Sequence, residues 1–141
     1  MRLSNFELSA PSFSIELIGL DFIWDLHNAG DFLGIYLQTN DNSAIMTWKI
    51  SGHPATKFSG CRLVFKGLRM MVVTARDAGL PLSEDHCVAG ISQVIPNAGD
   101  KPENRIRQSV QDDAFNLLFQ FQSGRSIEIG AEVVELVGIV K

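Results

Sequence analysis

Long hydrophobic runs are absent from the 141-residue sequence, so no segment approaches the roughly 18 apolar residues that a membrane-spanning helix needs. Arg69, Arg76 and Asp77 interrupt the most apolar stretch, and Glu135 interrupts the last one. Carboxylates beginning at Glu7 also interrupt the N-terminal region, which therefore lacks the continuous apolar core of a signal peptide. We expect a cytoplasmic protein that makes no membrane contact.

Cysteine is scarce, since only Cys61 and Cys87 occur in the chain. A disulfide scaffold of the small secreted type uses more cysteines in a shorter chain, so we expect two buried free thiols. The sequence also lacks a phosphate-binding glycine loop, a nucleophile elbow, paired zinc ligands and a dinucleotide fingerprint. These absences argue against an enzyme, and we expect no cofactor.

A surplus of positive charge is missing too. Lys and Arg number 12 against 16 Asp and Glu, which gives a formal net charge of -4 and argues against nucleic-acid binding. Residues 42–76 nevertheless contain no carboxylate. The basic residues in this stretch are Lys49, Lys57, Arg62, Lys66, Arg69 and Arg76. The sequence favours pairing of these strands with an acidic strand carrying Glu128 and Glu132. The alternative is a basic face for an acidic partner.

The composition that remains is typical of a globular protein. Hydrophobic residues make up 45% of the chain and charged residues 20%, so the apolar surface suffices to form a core. A chain of this length fits one domain, and we expect residues 1–141 to form a single β-rich unit.

Apolar and polar residues alternate most clearly in 115–122, a pattern that indicates a strand with one buried face. The predicted inward set is Phe115, Leu117, Phe119 and Phe121, and the predicted solvent set is Asn116, Gln120 and Gln122. The pair Ser123 and Gly124 then predicts a hairpin turn. In the next strand the predicted inward set is Ile127, Ile129, Ala131 and Val133, while Glu128 and Glu132 face solvent. A final strand is expected over 134–140. The alternative is that it continues the preceding strand, with a bend at Gly130 or Gly138.

The first half of the chain shows the same period of two. The predicted inward sets are Phe22, Trp24 and Leu26, then Leu33, Ile35 and Leu37, then Ala44, Met46, Trp48 and Ile50. Residues 39–43 form a turn by composition, which predicts a second hairpin. Residues 61–75 suit two short strands or one bent strand with a bulge or corner at Gly67.

These patterns predict an all-β fold, mainly an antiparallel sandwich or a barrel-like sheet, with at most one short helix near 84–94. Ser83 is suited to cap that helix, but Gly90 weakens it, and an irregular strand is the alternative.

Two groups of polar residues are candidates for catalysis or metal binding. Asp85, His86 and Cys87 suggest a nucleophile with its base, but consecutive side chains point in different directions, so a buried thiol is the favoured interpretation. Asp25 and His27 share a strand face and are candidate metal ligands that lack a recognised third partner. An ordinary solvated strand face is the alternative for this pair.

Two further candidates for ligand binding lie in predicted loops. His53 follows Gly52 in a loop, where functional residues often occur. Asp112 and Asp113 precede the strand at 115 and suit a cation or general-base site, or simply an exposed turn.

No motif assigns a function, so the hypotheses rest on general character. A small acidic all-β domain without a catalytic motif is similar to some immunity proteins that neutralise toxins, a resemblance that assigns no residue. The leading hypothesis is a non-catalytic binding module for another protein or for a second copy of itself. The alternatives are a β-barrel that binds a small ligand and an enzyme with an unrecognised site. The apolar residues on both faces of 133–140 suggest a two-fold dimer, unless that strand lies centrally in the fold.

Overall fold

The protein, described by a computed structural model over residues 1–51, 56–96, 105–106 and 114–141, consists almost entirely of β-strands. The strands are β1 (Arg2–Ser4), β2 (Phe6–Leu8), β3 (Glu16–Gly19), β4 (Phe22–Asp25), β5 (Gly30–Gln38), β6 (Ser43–Ile50), β7 (Phe58–Val73), β8 (Val88–Val94), β9 (Asn116–Phe121) and β10 (Ser126–Val140). One short 3₁₀ helix spans Leu82–His86. No helix in these ranges is long and apolar enough to cross a membrane.

Two sheets make up the fold. The larger has the strand order β5-β6-β7-β10-β9-β8, with β1 added in parallel beside β10, and it curls into a half-barrel. The smaller sheet has the order β2-β3-β4. Every pairing other than β1 with β10 is antiparallel. The prediction of an all-β, mainly antiparallel fold with a barrel-like sheet is therefore confirmed.

Aromatic side chains join the two sheets into one hydrophobic core. Trp24 of the small sheet lies 5.0 Å from Phe58 of β7, measured between ring centroids. Across the half-barrel, the Phe32 ring lies 4.9 Å from the Phe121 ring. Trp24, Trp48 and Phe119 are fully buried, as the alternation of apolar residues predicted. The sequence alternates because each of these strands presents one face to this cluster.

The predicted hairpins are present between β5 and β6 and between β9 and β10. Residues 58–73 form one continuous strand rather than two, with Gly67 at a positive φ of 67° near a shift in its register with β10. In the region predicted to hold a helix near 84–94, only the 3₁₀ turn is helical. Its second half is β8, the irregular-strand alternative, whose register shifts between Val88 and Gly90.

The prediction for the inward face of β5 is wrong at Leu33. A β-bulge lies between Phe32 and Gly34, and Gly34 has a φ of 140°. A bulge inserts one extra residue, which changes the parity of the residues that face the core. Phe32 is therefore buried, while Leu33 is exposed to solvent.

A similar parity change occurs within β10, where the predicted inward residue Val133 is only half-buried. The core-facing residues are Ile127, Ile129 and Ala131 before the change, and Val134 and Leu136 after it. The register with β7 shifts nearby, between Gly130 and Ala131, and the extra residue at that shift, Arg69, lies on β7. A pattern of strict alternation does not foresee such a shift.

The strand β10 also lies at the centre of the large sheet. It pairs with β7 along its length, and its other side pairs with β9 and β1. The apolar residues on both faces of 133–140 are thus explained by a central position. The argument for a dimer through this strand no longer holds.

Two residues predicted to face solvent, Asn116 and Glu128, are buried instead. The guanidinium of Arg105 covers them, since its Nη2 lies 2.5 Å from Glu128 Oε1 and its Nη1 donates to the Ile95 carbonyl at 2.8 Å. Asn116 Nδ2 donates to Glu128 Oε2 at 2.9 Å. Alternation identifies the outer face of a sheet, but it does not show that another segment covers that face.

This buried ion pair predicts an unusually large effect for a residue on the outer face. Glu128→Ala removes the carboxylate that neutralises a buried guanidinium, so we expect the free energy of unfolding to fall by about 3–5 kcal/mol. Glu132→Ala, on the same strand but exposed, is the matched control and should change it by less than about 0.5 kcal/mol. Urea unfolding followed by tryptophan fluorescence measures both. Equal losses would contradict the burial of Glu128.

Candidate functional site

The strand order of the large sheet, which runs from β5 to β8, has an open strand at one end and a covered strand at the other. At β8 the chain itself closes the edge, because Ile91 exchanges backbone hydrogen bonds of 2.7 and 2.8 Å with Ser14. The Gln93 amide also donates to the Pro11 carbonyl at 2.8 Å. At the opposite end, β5 pairs with β6 on one side and with no described strand on the other.

The open edge is uncharged and partly apolar. Residues 32–38 contain no charged side chain. Leu33 is 64% exposed, Tyr36 63% and Leu37 46%. Soluble proteins usually protect a free edge with lysine, proline, a bulge or an inward-pointing charge. Only the bulge is present here, and it lies at Leu33, which leaves 34–38 as a regular strand.

The 3₁₀ helix lies beside one end of this edge. The helix contacts β5. Cys87, the residue after the helix, lies close enough to Asp31 of β5 for that carboxylate to raise the pKa of its thiol. The helix therefore lies near the N-terminal end of β5. Residues 34–38 at the other end carry the exposed Tyr36 and Leu37. Sequence reasoning missed this site, although the lack of charge over 32–38 is a usable signal.

The candidate metal ligands Asp25 and His27 lie close together, but both have local structural roles. The Asp25 carboxylate accepts hydrogen bonds from the backbone amides of His27 at 3.2 Å and Asn28 at 2.8 Å. Burial alone would raise the pKa of Asp25, but the hydrogen bonds from Asn28 and His27 outweigh it and lower that pKa. Among the residues that the structure describes, no three His, Cys, Asp or Glu side chains are grouped to hold a metal ion.

His27, rather than the adjacent His86, is the histidine that meets Cys87. The Cys87 Sγ lies 3.5 Å from His27 Nδ1, and the same Nδ1 lies 2.8 Å from the Val88 carbonyl oxygen. A carbonyl only accepts, so Nδ1 carries the proton and cannot take one from the thiol. His86 is exposed, and Asp85 forms an ion pair with Arg76 at 2.9 Å.

The electrostatic environment of Cys87 also disfavours a reactive thiolate. Burial raises the pKa of the Cys87 thiol, and the neighbouring carboxylates of Glu84 and Asp31 raise it further. Burial raises the pKa of Cys61 to about 12. Both thiols are free; Cys61 is buried, as predicted, but Cys87 is only half-buried. A nucleophilic cysteine requires the opposite shift.

The basic stretch over 42–76 forms one cross-strand ion pair with β10, though not with the residues named from the sequence. Lys66 Nζ lies 3.3 Å from Glu135 Oε2, whereas Glu128 pairs with Arg105. Arg69 donates instead to the Ala131 carbonyl at 2.6 Å. Within the described ranges, β7 and β10 thus form one ion pair, between Lys66 and Glu135.

A groove of about 340 Å³ lies between the N-terminal strands and the start of β9. Leu3, Leu8, Phe115 and Gln93 are among its lining residues. Gln93 is 3% exposed, and its Oε1 has no hydrogen-bond partner among the described residues. A buried carbonyl oxygen without a donor is costly, and Gln93 lines the groove, so the groove is the second candidate site.

The remaining candidates, His53, Asp112 and Asp113, lie outside the described residues. They stay predictions from the sequence. No family model matches the chain, and neither the curated proteins nor the solved structures contain a significant match.

The thiol environment predicts slow alkylation of Cys87. In native protein at neutral pH, iodoacetamide should modify Cys87 more slowly than it modifies the urea-unfolded chain, because the folded thiol has the higher pKa. The rate should rise with pH and still be rising above about pH 9, near the ordinary thiol pKa. Mass spectrometry of a pH series measures it, with Cys87→Ser as the control. A plateau below neutral pH would show a lowered pKa instead.

Proposed function

We propose that this chain is a non-catalytic protein-binding module that accepts an extended segment of a partner along the open edge of β5. The observation that carries the proposal is that the uncharged, partly apolar segment 32–38 lies at an edge that no described strand covers. We place this activity in the cytoplasm, where free thiols such as Cys61 and Cys87 stay reduced.

The edge of β5 offers backbone hydrogen bonds and side-chain contacts, and an added strand makes use of both. The unpaired amides and carbonyls of 34–38 supply hydrogen bonds that are independent of the partner's sequence. The side chains supply the preference, because alternate residues lie on opposite faces of the sheet. Ile35 and Leu37 lie opposite the buried residues Met46 and Ala44, while Tyr36 lies on the outer face. In a bound strand, the residues at alternate positions would lie beside Leu37 on the core-facing side, and the residues between them would lie beside Tyr36 on the outer face.

Displayed peptides of about seven residues, a common strand length, test this function directly. We expect selection on the immobilised protein to enrich peptides with β-branched and aromatic residues at alternate positions. Binding should fall at least about tenfold in Leu37→Lys, because the lysine places a charge at the edge and removes apolar contact.

Ile23→Lys is the matched control. Ile23 is an exposed apolar residue on the small sheet, so its replacement should leave peptide binding unchanged. Circular dichroism of both variants shows whether they keep the fold. Failure to enrich any peptide, or equal binding to Leu37→Lys and the unaltered protein, would contradict the proposal.

A second candidate function is the binding of a small, mainly apolar molecule in the groove beside Gln93. The interior of the half-barrel is filled by Trp24, Trp48 and Phe119, so the predicted barrel cavity is replaced by this surface groove. Its volume lies in the lower part of the usual range for ligand sites. The amide of Gln93 supplies the polar contact, and a ligand with one hydrogen-bond donor suits its Oε1.

The fluorescent probe 8-anilinonaphthalene-1-sulfonate has apolar rings and one N–H donor, and it tests this groove. We expect binding that weakens about tenfold in Gln93→Leu, the loss expected for one hydrogen bond. Leu37→Lys is the control, because it alters the sheet edge and leaves the groove intact. Stronger loss in Leu37→Lys than in Gln93→Leu would assign the probe to the edge and remove the groove as a site.

A further inference from the structure

We infer that the partner on this edge is a second copy of the chain, with β5 paired antiparallel to its counterpart so that Tyr36 faces Tyr36 of the other copy. The inference rests on the proposed use of β5 as a docking edge. It adds the identity of the partner, the direction of pairing and the register.

The register follows from the geometry of the strand. A two-fold axis between antiparallel strands makes one residue face its own copy, and the residues on either side of it pair in order. The regular part of β5 after the bulge is 34–38. These five residues all pair with one another only when the two-fold axis passes beside Tyr36. With the axis at Ile35, the bulged residue Leu33 would have to pair with Leu37. With the axis at Leu37, Ile35 would have to pair with residue 39, where the turn begins.

The side chains in this register are self-complementary. Ile35 of one copy lies opposite Leu37 of the other, on the core-facing side, where Leu37 is half-exposed in the single chain. The two Tyr36 rings meet on the outer face, where aromatic cross-strand pairs are favourable. Gly34 lies opposite Gln38. The nearest charge on the strand, Asp31, falls outside the paired segment, so no like charges oppose each other.

The same properties favour a second copy over an unrelated strand. The sheet edge selects an uncharged, partly apolar segment without proline, and residues 34–38 have that composition. Residues 11–14 cover β8, at the other end of the strand order, so copies paired through β5 do not extend into a fibre through β8.

Disulfide trapping measures the register. In the double variant Tyr36→Cys with Cys87→Ser, the new cysteines of the two copies face each other with their Cβ atoms about 4.5–5.5 Å apart. A small movement of the strands brings the Cβ atoms to the separation of a disulfide. Diamide takes up the two electrons and two protons released when the S–S bond forms. We expect rapid conversion to a covalent dimer, which non-reducing electrophoresis separates from the monomer.

The matched control is Ile45→Cys with Cys87→Ser. Ile45 lies directly opposite Tyr36 on β6, on the same outer face but one strand farther from the edge. Its two copies would lie about 14 Å apart, three strand spacings, which a disulfide cannot span. Trapping at Tyr36 alone supports the inference. Trapping at neither position, or equally at both, overturns the register.

Sedimentation of the unaltered protein and of Tyr36→Lys completes the test. The lysine variant opposes two positive charges at the centre of the interface, so we expect its dimerisation to weaken at least about tenfold. If the chain stays monomeric far above micromolar concentration yet still binds strand peptides, the second-copy inference fails while the proposed function stands. If peptides do not bind either, both fail.

Discussion

The pairing of β7 with β10 is the interaction on which the rest of the structure depends. The two longest strands run together from Ile127 and Val73 to Val140 and Phe58, and they provide the surface on which the other strands assemble. Because β10 also pairs with β9 and β1, the end of the chain lies in the middle of the sheet. That position leaves β5 and β8 at the two ends of the strand order.

The alternation of apolar residues predicted most of the strands and their buried faces, because each strand presents one face to a single aromatic core. Trp24, Trp48 and Phe119 are buried as their patterns required. The errors fall where a residue is inserted or a face is covered by a distant segment. Leu33 is displaced by a bulge, and Glu128 is covered by Arg105, which comes from a different part of the chain. Neither cause leaves a periodic signal.

The candidate sites were less predictable than the fold for a related reason. The sequence argued against a pair of Cys87 with the adjacent His86, but it did not predict that strand pairing brings His27 to Cys87. The hydrogen bond to the Val88 carbonyl places the proton on the His27 nitrogen that faces the thiol. The edge of β5 has no motif at all. The only indication in the sequence is that residues 32–38 carry no charge. That feature indicates an unprotected edge only once the structure shows that β5 lies at the end of the sheet.

The unequal treatment of the two edges of the large sheet is the strongest physical reason to regard β5 as a binding surface. At β8 the chain uses Ser14 and Pro11 to satisfy backbone groups that would otherwise be free. At β5 it provides no covering segment in the described ranges and no charge over 34–38, while Tyr36 and Leu37 remain exposed. Unprotected edges of this kind promote uncontrolled association in soluble proteins. The exposure of five regular residues along this edge therefore supports the proposal that a partner covers it.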